Sequence, residues 1–201
     1  IVDLVKRNGG RPFLTDCNTL YMGGRKNALD HIESAYQNGF NPYNTGCHIL
    51  IADGLKGSDD VEVPVSGGEY VKTAKIGRAV MDADGFVSLT HFKGHEQAGM
   101  GGTLKNIGMG CGSRAGKMEM HSSGKPVVKR EKCVGCRACA IICAHGAPQF
   151  DEEGKADIDI NQCAGCGRCL TICPKDAIAA RNDAAPAILN KKMAEYSKAV
   201  V

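Results

Sequence analysis

Residues 132–144 read KCVGCRACAIICA, and residues 162–174 read QCAGCGRCLTICP. At an offset of 30 residues each cysteine of the first run falls on a cysteine of the second: Cys133 on Cys163, Cys136 on Cys166, Cys139 on Cys169 and Cys143 on Cys173. Gly135 and Ile142 likewise meet Gly165 and Ile172. A repeat that keeps its thiol spacing constrains the fold strongly, because both halves must wind their backbones in the same way around whatever the thiols share.

Eight of the 11 cysteines lie in these two runs. Tight, repeated runs point to metal ligation in a reducing compartment rather than to a disulfide framework, so the cytoplasm is the expected location. The spacing C-x2-C-x2-C-x3-C lets three thiolates on a turning loop reach three iron corners of one cubane. The fourth sits on the following helical turn and points to the neighbouring cluster. The expected ligand sets are therefore crossed. Cys133, Cys136, Cys139 and Cys173 hold one [4Fe-4S] cluster, and Cys163, Cys166, Cys169 and Cys143 hold the second. Gly135, Gly165 and Gly167 leave room where backbone amides approach the sulfurs. The competing readings are two zinc sites or a set of disulfides; neither needs two four-cysteine runs of identical spacing. Between the runs, APQFDEEGKADIDI reads as a small hairpin turning near Gly154.

The formal charge of +3 counts every cysteine as neutral. Eight thiolates around two cores of about 2+ each would add about −4 and bring the chain to roughly −1. The basic residues are scattered rather than striped, so nucleic acid is not an expected partner. No run of about 18 apolar residues occurs, so no membrane-spanning helix is expected. The chain opens on Ile1 without a secretory signal pattern, which reads as a fragment or a processed product.

The first 126 residues alternate in type. RPFLTDCN and HILIA read as strands, the second of a buried kind. NALDHIESAYQNGF has helical spacing at Ala28, Ile32, Ala35 and Tyr36, with Gly39 at its end. VEVPVSGGEY fits a short edge strand because of Pro64. EYVKTAKIGRAVMDAD reads as a helix, GFVSLTHF as a strand, and TLKNIGMG as the start of another helix. This order predicts a layered α/β domain with a mostly parallel sheet.

Open sheets of that kind bind ligands beyond the carboxyl ends of their strands. Those ends offer Asp16 and Asn18, then Asp53, then His91, Lys93 and His95, with Lys105 following in the Gly-rich stretch HFKGHEQAGMGGTLKNIGMGCGS. They form a candidate ligand rim. Asp16, His91 and His95 could ligate a metal. Lys93, Lys105 and the glycine amides could instead cradle an anion near the helix start at Thr103. GMGGTLKNIGMG matches neither a P-loop nor a dinucleotide fingerprint. A loop whose glycines serve tight turns and whose histidines bond locally is the plainer alternative. Cys17, Cys47 and Cys111 are expected as buried structural thiols.

Residues 127–182 resemble the bacterial two-cluster ferredoxins. That family usually has Pro after each fourth cysteine; Pro174 agrees and Ala144 does not, a departure at a turn and not at a ligand. The stretches LTDCNTLYMGGRKNALDH and SLTHFKGHEQAGMGGTLKNIGMGCGSRAGKMEMHS resemble the family called domain of unknown function 362, prokaryotic proteins of which many carry a two-cluster ferredoxin unit. The resemblance spans about residues 8–126. It implies an α/β domain (1–126), an inserted α+β ferredoxin-like module (127–182) and a C-terminal helix (183–201) that packs back on the α/β domain. That helix has its own spacing signal at Ile188, Leu189, Met193 and Tyr196. The resemblance also implies further chain at both ends, and it supplies no substrate.

The expected activity is transfer of single electrons by two [4Fe-4S] clusters, to or from a redox partner protein or a small-molecule donor or acceptor. An alternative is a redox enzyme whose rim binds a small anionic substrate or a metal. A further alternative makes the clusters purely structural, since metal binding is itself folding energy in a small module.

Overall fold

A computed structural model describes the chain apart from residues 22, 96, 97, 123 and 182–184. The first part runs α1 (Val2–Arg7), β1 (Phe13–Asp16), α2 (Ala28–Gln37), α3 (Pro42–Thr45), β2 (His48–Ile51), β3 (Asp60–Pro64), β4 (Thr73–Gly77), α4 (Arg78–Met81), β5 (Lys93–His95), β6 (Gly99–Gly101), α5 (Thr103–Cys111) and α6 (Arg114–Ser122). The second runs β7 (Pro126–Val128), α7 (Ala138–Ile142), β8 (Pro148–Phe150), β9 (Ala156–Ile158), α8 (Arg168–Ile172), β10 (Ile178–Ala180) and α9 (Pro186–Val200). Short polar side chains set the helix starts. Asn27 accepts the Asp30 amide at 3.0 Å ahead of α2, and Asn41 accepts the Tyr43 and Asn44 amides ahead of α3, whose first residue is Pro42.

The fold is mixed α/β with small sheets. The expected layered, mostly parallel sheet is not formed by the described residues. One pair is parallel, β1 with β2, and the four others are antiparallel: β3–β4, β5–β6, β8–β9 and β7–β10. Two departures from the sequence reading explain this. The expected helix over EYVKTAKIGRAVMDAD is β4 followed by the four-residue α4. Its alternating Ala74 and Ile76 turn inward to the core while the strand pairs with β3. The expected strand over GFVSLTHF is irregular, and the next pairing begins at Lys93, where β5 turns back on β6. HILIA does form β2, but as a half-covered strand with Leu50 exposed. Helix α2 buries His31 rather than the expected Ala28, Ile32, Ala35 and Tyr36.

Two hydrophobic cores result. The first gathers Cys17, Ala52, Val71, Ala74, Ile76, Ile107, Cys111, Met120, Leu189, Met193 and Tyr196. The second gathers Leu20, Met118, Cys133, Cys139, Ala156, Leu170, Ala177 and Ile178. Helix α6 is the wall between them, with Met120 in one core and Met118 in the other, both fully buried. Each such side chain contributes about 1.5–3 kcal/mol of burial.

Helix α9 lies along α5 and against β4. The approach is close because Gly108 has no side chain: a Cβ there would lie 2.3 Å from the Met193 carbonyl oxygen. Glu195 of α9 reaches the turn between β3 and β4, where its carboxylate accepts the Glu69 and Val71 amides at 2.6 Å each. The expected boundary between residues 182 and 183 lies outside the described residues.

Candidate cysteine cavities and the strand-end groups

The 30-residue sequence repeat is also a backbone repeat. α7 and α8 start at Ala138 and Arg168; β7 and β9 start at Pro126 and Ala156; β8 and β10 start at Pro148 and Ile178. The strands pair inward-out: β8 with β9 between the runs, and β7 with β10 across the whole unit. Left-handed backbone recurs at matching places: Gly135 and Gly165, Arg137 and Gly167, Gly146 and Asp176. Ala144 and Pro174 start equivalent turns, so the missing proline leaves the local path unchanged.

Gly135 and Gly165 are required for two reasons. Their φ angles are +67° and +74°. A Cβ on Gly135 would sit 2.7 Å from the Gly154 carbonyl oxygen, and one on Gly165 would sit 2.5 Å from that of Gly124. The loops therefore pass each other backbone to backbone, which only glycine permits.

The turns set the eight thiols around two cavities. One is lined by Cys133, Cys136, Cys139 and Cys173, with Phe150, Pro174 and Ile178 among its apolar walls. The other is lined by Cys143, Cys163, Cys166 and Cys169, with Ala147, Pro148 and Ile158. In each cavity three cysteines come from one run and the fourth from the other. Backbone amides aim at sulfur in both: Ala156 to Cys133 at 3.3 Å, Ala177 to Cys173 at 3.2 Å and Gly165 to Cys163 at 3.4 Å. The Ala156 amide holds the Cys133 thiol below its ordinary range. Burial pushes Cys169 up to about 12, helped by the neighbouring Cys166, Cys163, Cys139 and Cys143. Cys169 thus feels thiols of both cavities, so the two are adjacent. Cys136 and Cys166 reach the surface. Among the described residues no three His, Cys, Asp or Glu side chains converge closely enough for a single metal ion. The sulfurs line cavities rather than meet at a point.

Two lysines escaped the sequence reading. Lys155 donates to the Cys133 carbonyl at 2.6 Å, and Lys125 donates to the Cys163 carbonyl. They too are 30 residues apart, each following a glycine, in GKPVV and GKADI. Extending the repeat search upstream of the cysteines would have found them. Each places a cation behind the first thiol of a run.

The predicted rim divides. Asn18 and Asp53 do meet: the Asn18 amide and Nδ2 both donate to Asp53 Oδ1, at 2.9 and 2.8 Å, and both residues are fully buried. Burial pushes the Asp53 carboxyl up, against the pull of Lys117. Asp16 turns to the Cys17 amide, 2.9 Å away, and to His31 Nε2 at 3.8 Å. His91 offers its backbone oxygen to Asn106 at 3.3 Å, and His95 Nδ1 accepts the Ala98 amide at 3.1 Å. Asp16, His91 and His95 therefore do not gather into a metal site. Lys93, in β5, and Lys105, in the first turn of α5, both come within 4 Å of where a Cβ on Gly101 would lie. Cys17, Cys47 and Cys111 are buried; burial raises Cys17 and takes Cys111 to about 11.

Arg114 joins the two regions. It is 1% exposed and donates to the carbonyls of Lys26 and Lys56 on one side and to Thr171 Oγ1 on the other. Asp53 and Cys166 both favour its charge, against the larger opposing effect of burial.

No helix among the described residues is long and apolar enough to cross a membrane. Comparison with curated proteins finds no match, and comparison with solved structures finds none. The family described as Domain of unknown function (DUF362) matches residues 1–201, the whole of this sequence, and the chain belongs to that family.

Proposed function

We propose that this chain binds two [4Fe-4S] clusters in a ferredoxin-type module and passes single electrons between them and a redox partner, a protein or a small molecule. The observation that carries this reading is the pair of cavities, each lined by four cysteines in the crossed three-plus-one pattern. Four thiols set around a space suit a cluster with one thiolate per metal corner. A zinc ion would need all its sulfurs about 2.3 Å from one centre. The repeated strands and turns with exchanged pairing support the same reading.

The clusters supply one-electron carriage when bound; the chain's residues do the rest. Cys133, Cys136, Cys139 and Cys173 hold the first cluster, and Cys163, Cys166, Cys169 and Cys143 hold the second. The Ala156, Ala177 and Gly165 amides donate to ligand sulfurs and so favour the reduced, more negative state. Phe150, Ile158 and Ile178 exclude water from the walls. Cys136 and Cys166 at the surface give a partner a short approach.

Anaerobic reconstitution with iron counting and EPR tests the proposal. The expected result is about eight irons per chain and, after dithionite, the signal of reduced cubanes. Four irons or fewer, with no reduced-cluster signal, overturns it. A full iron count that resists every reductant would instead leave the clusters as structural staples.

A further inference from the structure

The duplicated unit carries the same helix face twice, and only one copy is covered. In the second half that face packs on α6. A Cβ on Gly167 would lie 3.0 Å from Arg114 Cγ and 3.4 Å from Met118 Cγ, and Thr171 Oγ1 accepts from Arg114 Nη1 at 2.6 Å. At the 30-residue offset these two positions are Arg137 and Ile141 of the first half. There both are exposed, Ile141 by 86%. The Ile141 amide donates to the Arg137 carbonyl at 3.2 Å, so the two side chains stand one turn apart on one side of α7.

Arg137 occupies a place that suits glycine, as its counterpart Gly167 shows. Its φ is +62°, left-handed backbone that L-residues rarely adopt. The side chain is held over the Phe150 ring, with Cζ 4.7 Å from the centroid, and lines the first cysteine cavity. Lys175, also exposed, lines the same cavity, with the exposed Cys136 and with Val134, 60% exposed. Among the described residues no carboxylate lines it. The flanking acids are engaged: Asp176 pairs with Lys26, and Asp151 pairs with Arg130.

The two halves thus divide one contact differently. In the second half α6 brings the arginine, and the module supplies the space at Gly167 and the acceptor at Thr171. In the first half the module itself holds the arginine, so whatever covers this face must bring the acceptors. Two fixed cations beside two exposed apolar side chains suit a protein whose own face is acidic.

We propose that Val134, Arg137, Ile141 and Lys175 form the docking surface for an electron-carrier protein with an acidic face, and that electrons cross at Cys136. This deepens the two-cluster reading and rests on it. Carboxylates of the carrier pair with Arg137 and Lys175, while Val134 and Ile141 are covered. The step moves one electron, oxidising the carrier and reducing the first cluster, or the reverse.

Rapid mixing of the reconstituted, reduced chain, freed of dithionite, with oxidised plastocyanin tests this, since plastocyanin is an acidic carrier. Iron is counted and the reduced EPR signal recorded on the same sample. The loaded chain is roughly −1 overall, so net charge alone predicts repulsion and a rate that rises with salt. The docking surface predicts the opposite, a rate that is highest at low salt and falls as salt is added. At low salt Arg137→Gly should lower it about threefold, and Arg137→Gly/Lys175→Gln about tenfold. Glycine relieves the backbone at this position, so fold and iron content should be unchanged. Arg168→Gln, at the other cavity, should alter the rate by less than about twofold. With both clusters loaded, a rate that rises with salt, or a wild-type rate in the double variant, overturns this proposal alone. A chain that takes up no cluster overturns the two-cluster reading and this proposal with it.

Discussion

Arg114 Nη1 lies 2.6 Å from Thr171 Oγ1, a bond between the helix that separates the two cores and the helix inside the second cysteine run. Its other donors close on the carbonyls of Lys26 and Lys56. One buried guanidinium therefore ties the strand-end loops to the cysteine unit. Lysine can follow its stem but cannot present the same fork. Arg114→Lys is expected to cost about 2–4 kcal/mol in denaturant unfolding, by leaving buried carbonyls without donors. The exposed Arg168→Lys should change stability by less than about 0.5 kcal/mol.

Gly165→Ala should selectively damage one cavity. The substitution forces left-handed backbone on an L-residue, costing about 1–2 kcal/mol, and drives a methyl into the Gly124 carbonyl. Reconstituted iron is expected to fall to about half of the full complement, with the remaining signal that of a single isolated cubane. Gly135→Ala should do the same to the other cavity.

The crossed pattern has its own test. Cys143→Ser should perturb the same EPR component as Cys166→Ser, although Cys143 belongs to the first run, and Cys173→Ser should match Cys136→Ser. Grouping of Cys143 with Cys136 would reject the assignment.

Lys155→Gln and Lys125→Gln should each lower one reduction potential, because the lost cation stabilised the electron-rich state. One charge a few ångströms behind a partly buried ligand is worth on the order of 1 kcal/mol per electron. A redox titration followed by EPR checks the direction and whether the two variants move different components.

The His121 imidazole gives a signed pH dependence. Its folded value, about 4, lies below the ordinary value of 6.5, so between these the unfolded chain holds a proton that the folded one does not. Stability is therefore full above about pH 6.5 and declines as pH falls toward 4, by up to about 3 kcal/mol. Urea midpoints measured across this range should fall less steeply in His121→Gln than in the wild type.

Local rules were legible where spacing alone dictates geometry. The two cysteine runs recur as a backbone repeat, and each cavity is lined by three cysteines of one run and one of the other. The α9 periodicity named Leu189, Met193 and Tyr196, all of which the first core buries. The β4 segment misled because the helix expected over EYVKTAKIGRAVMDAD ran together a strand, Thr73–Gly77, and a four-residue helix, Arg78–Met81. Pairing with β3 settled the matter, and no local signal carries that.

What the sequence determined by itself is the duplicated unit: thiol spacing, glycines where the backbone turns left-handed, and a hairpin between the runs. These follow from short-range sterics that act wherever the segment sits. The tertiary structure alone decided which polar groups share a neighbourhood. Asn18 meets Asp53 across 35 residues, Tyr21 meets His121 across 100, and Arg114 reaches Lys26, Lys56 and Thr171. Such contacts depend on how α6 is wedged between two cores. Burial and charge at those places are properties of packing, which no stretch of sequence holds on its own.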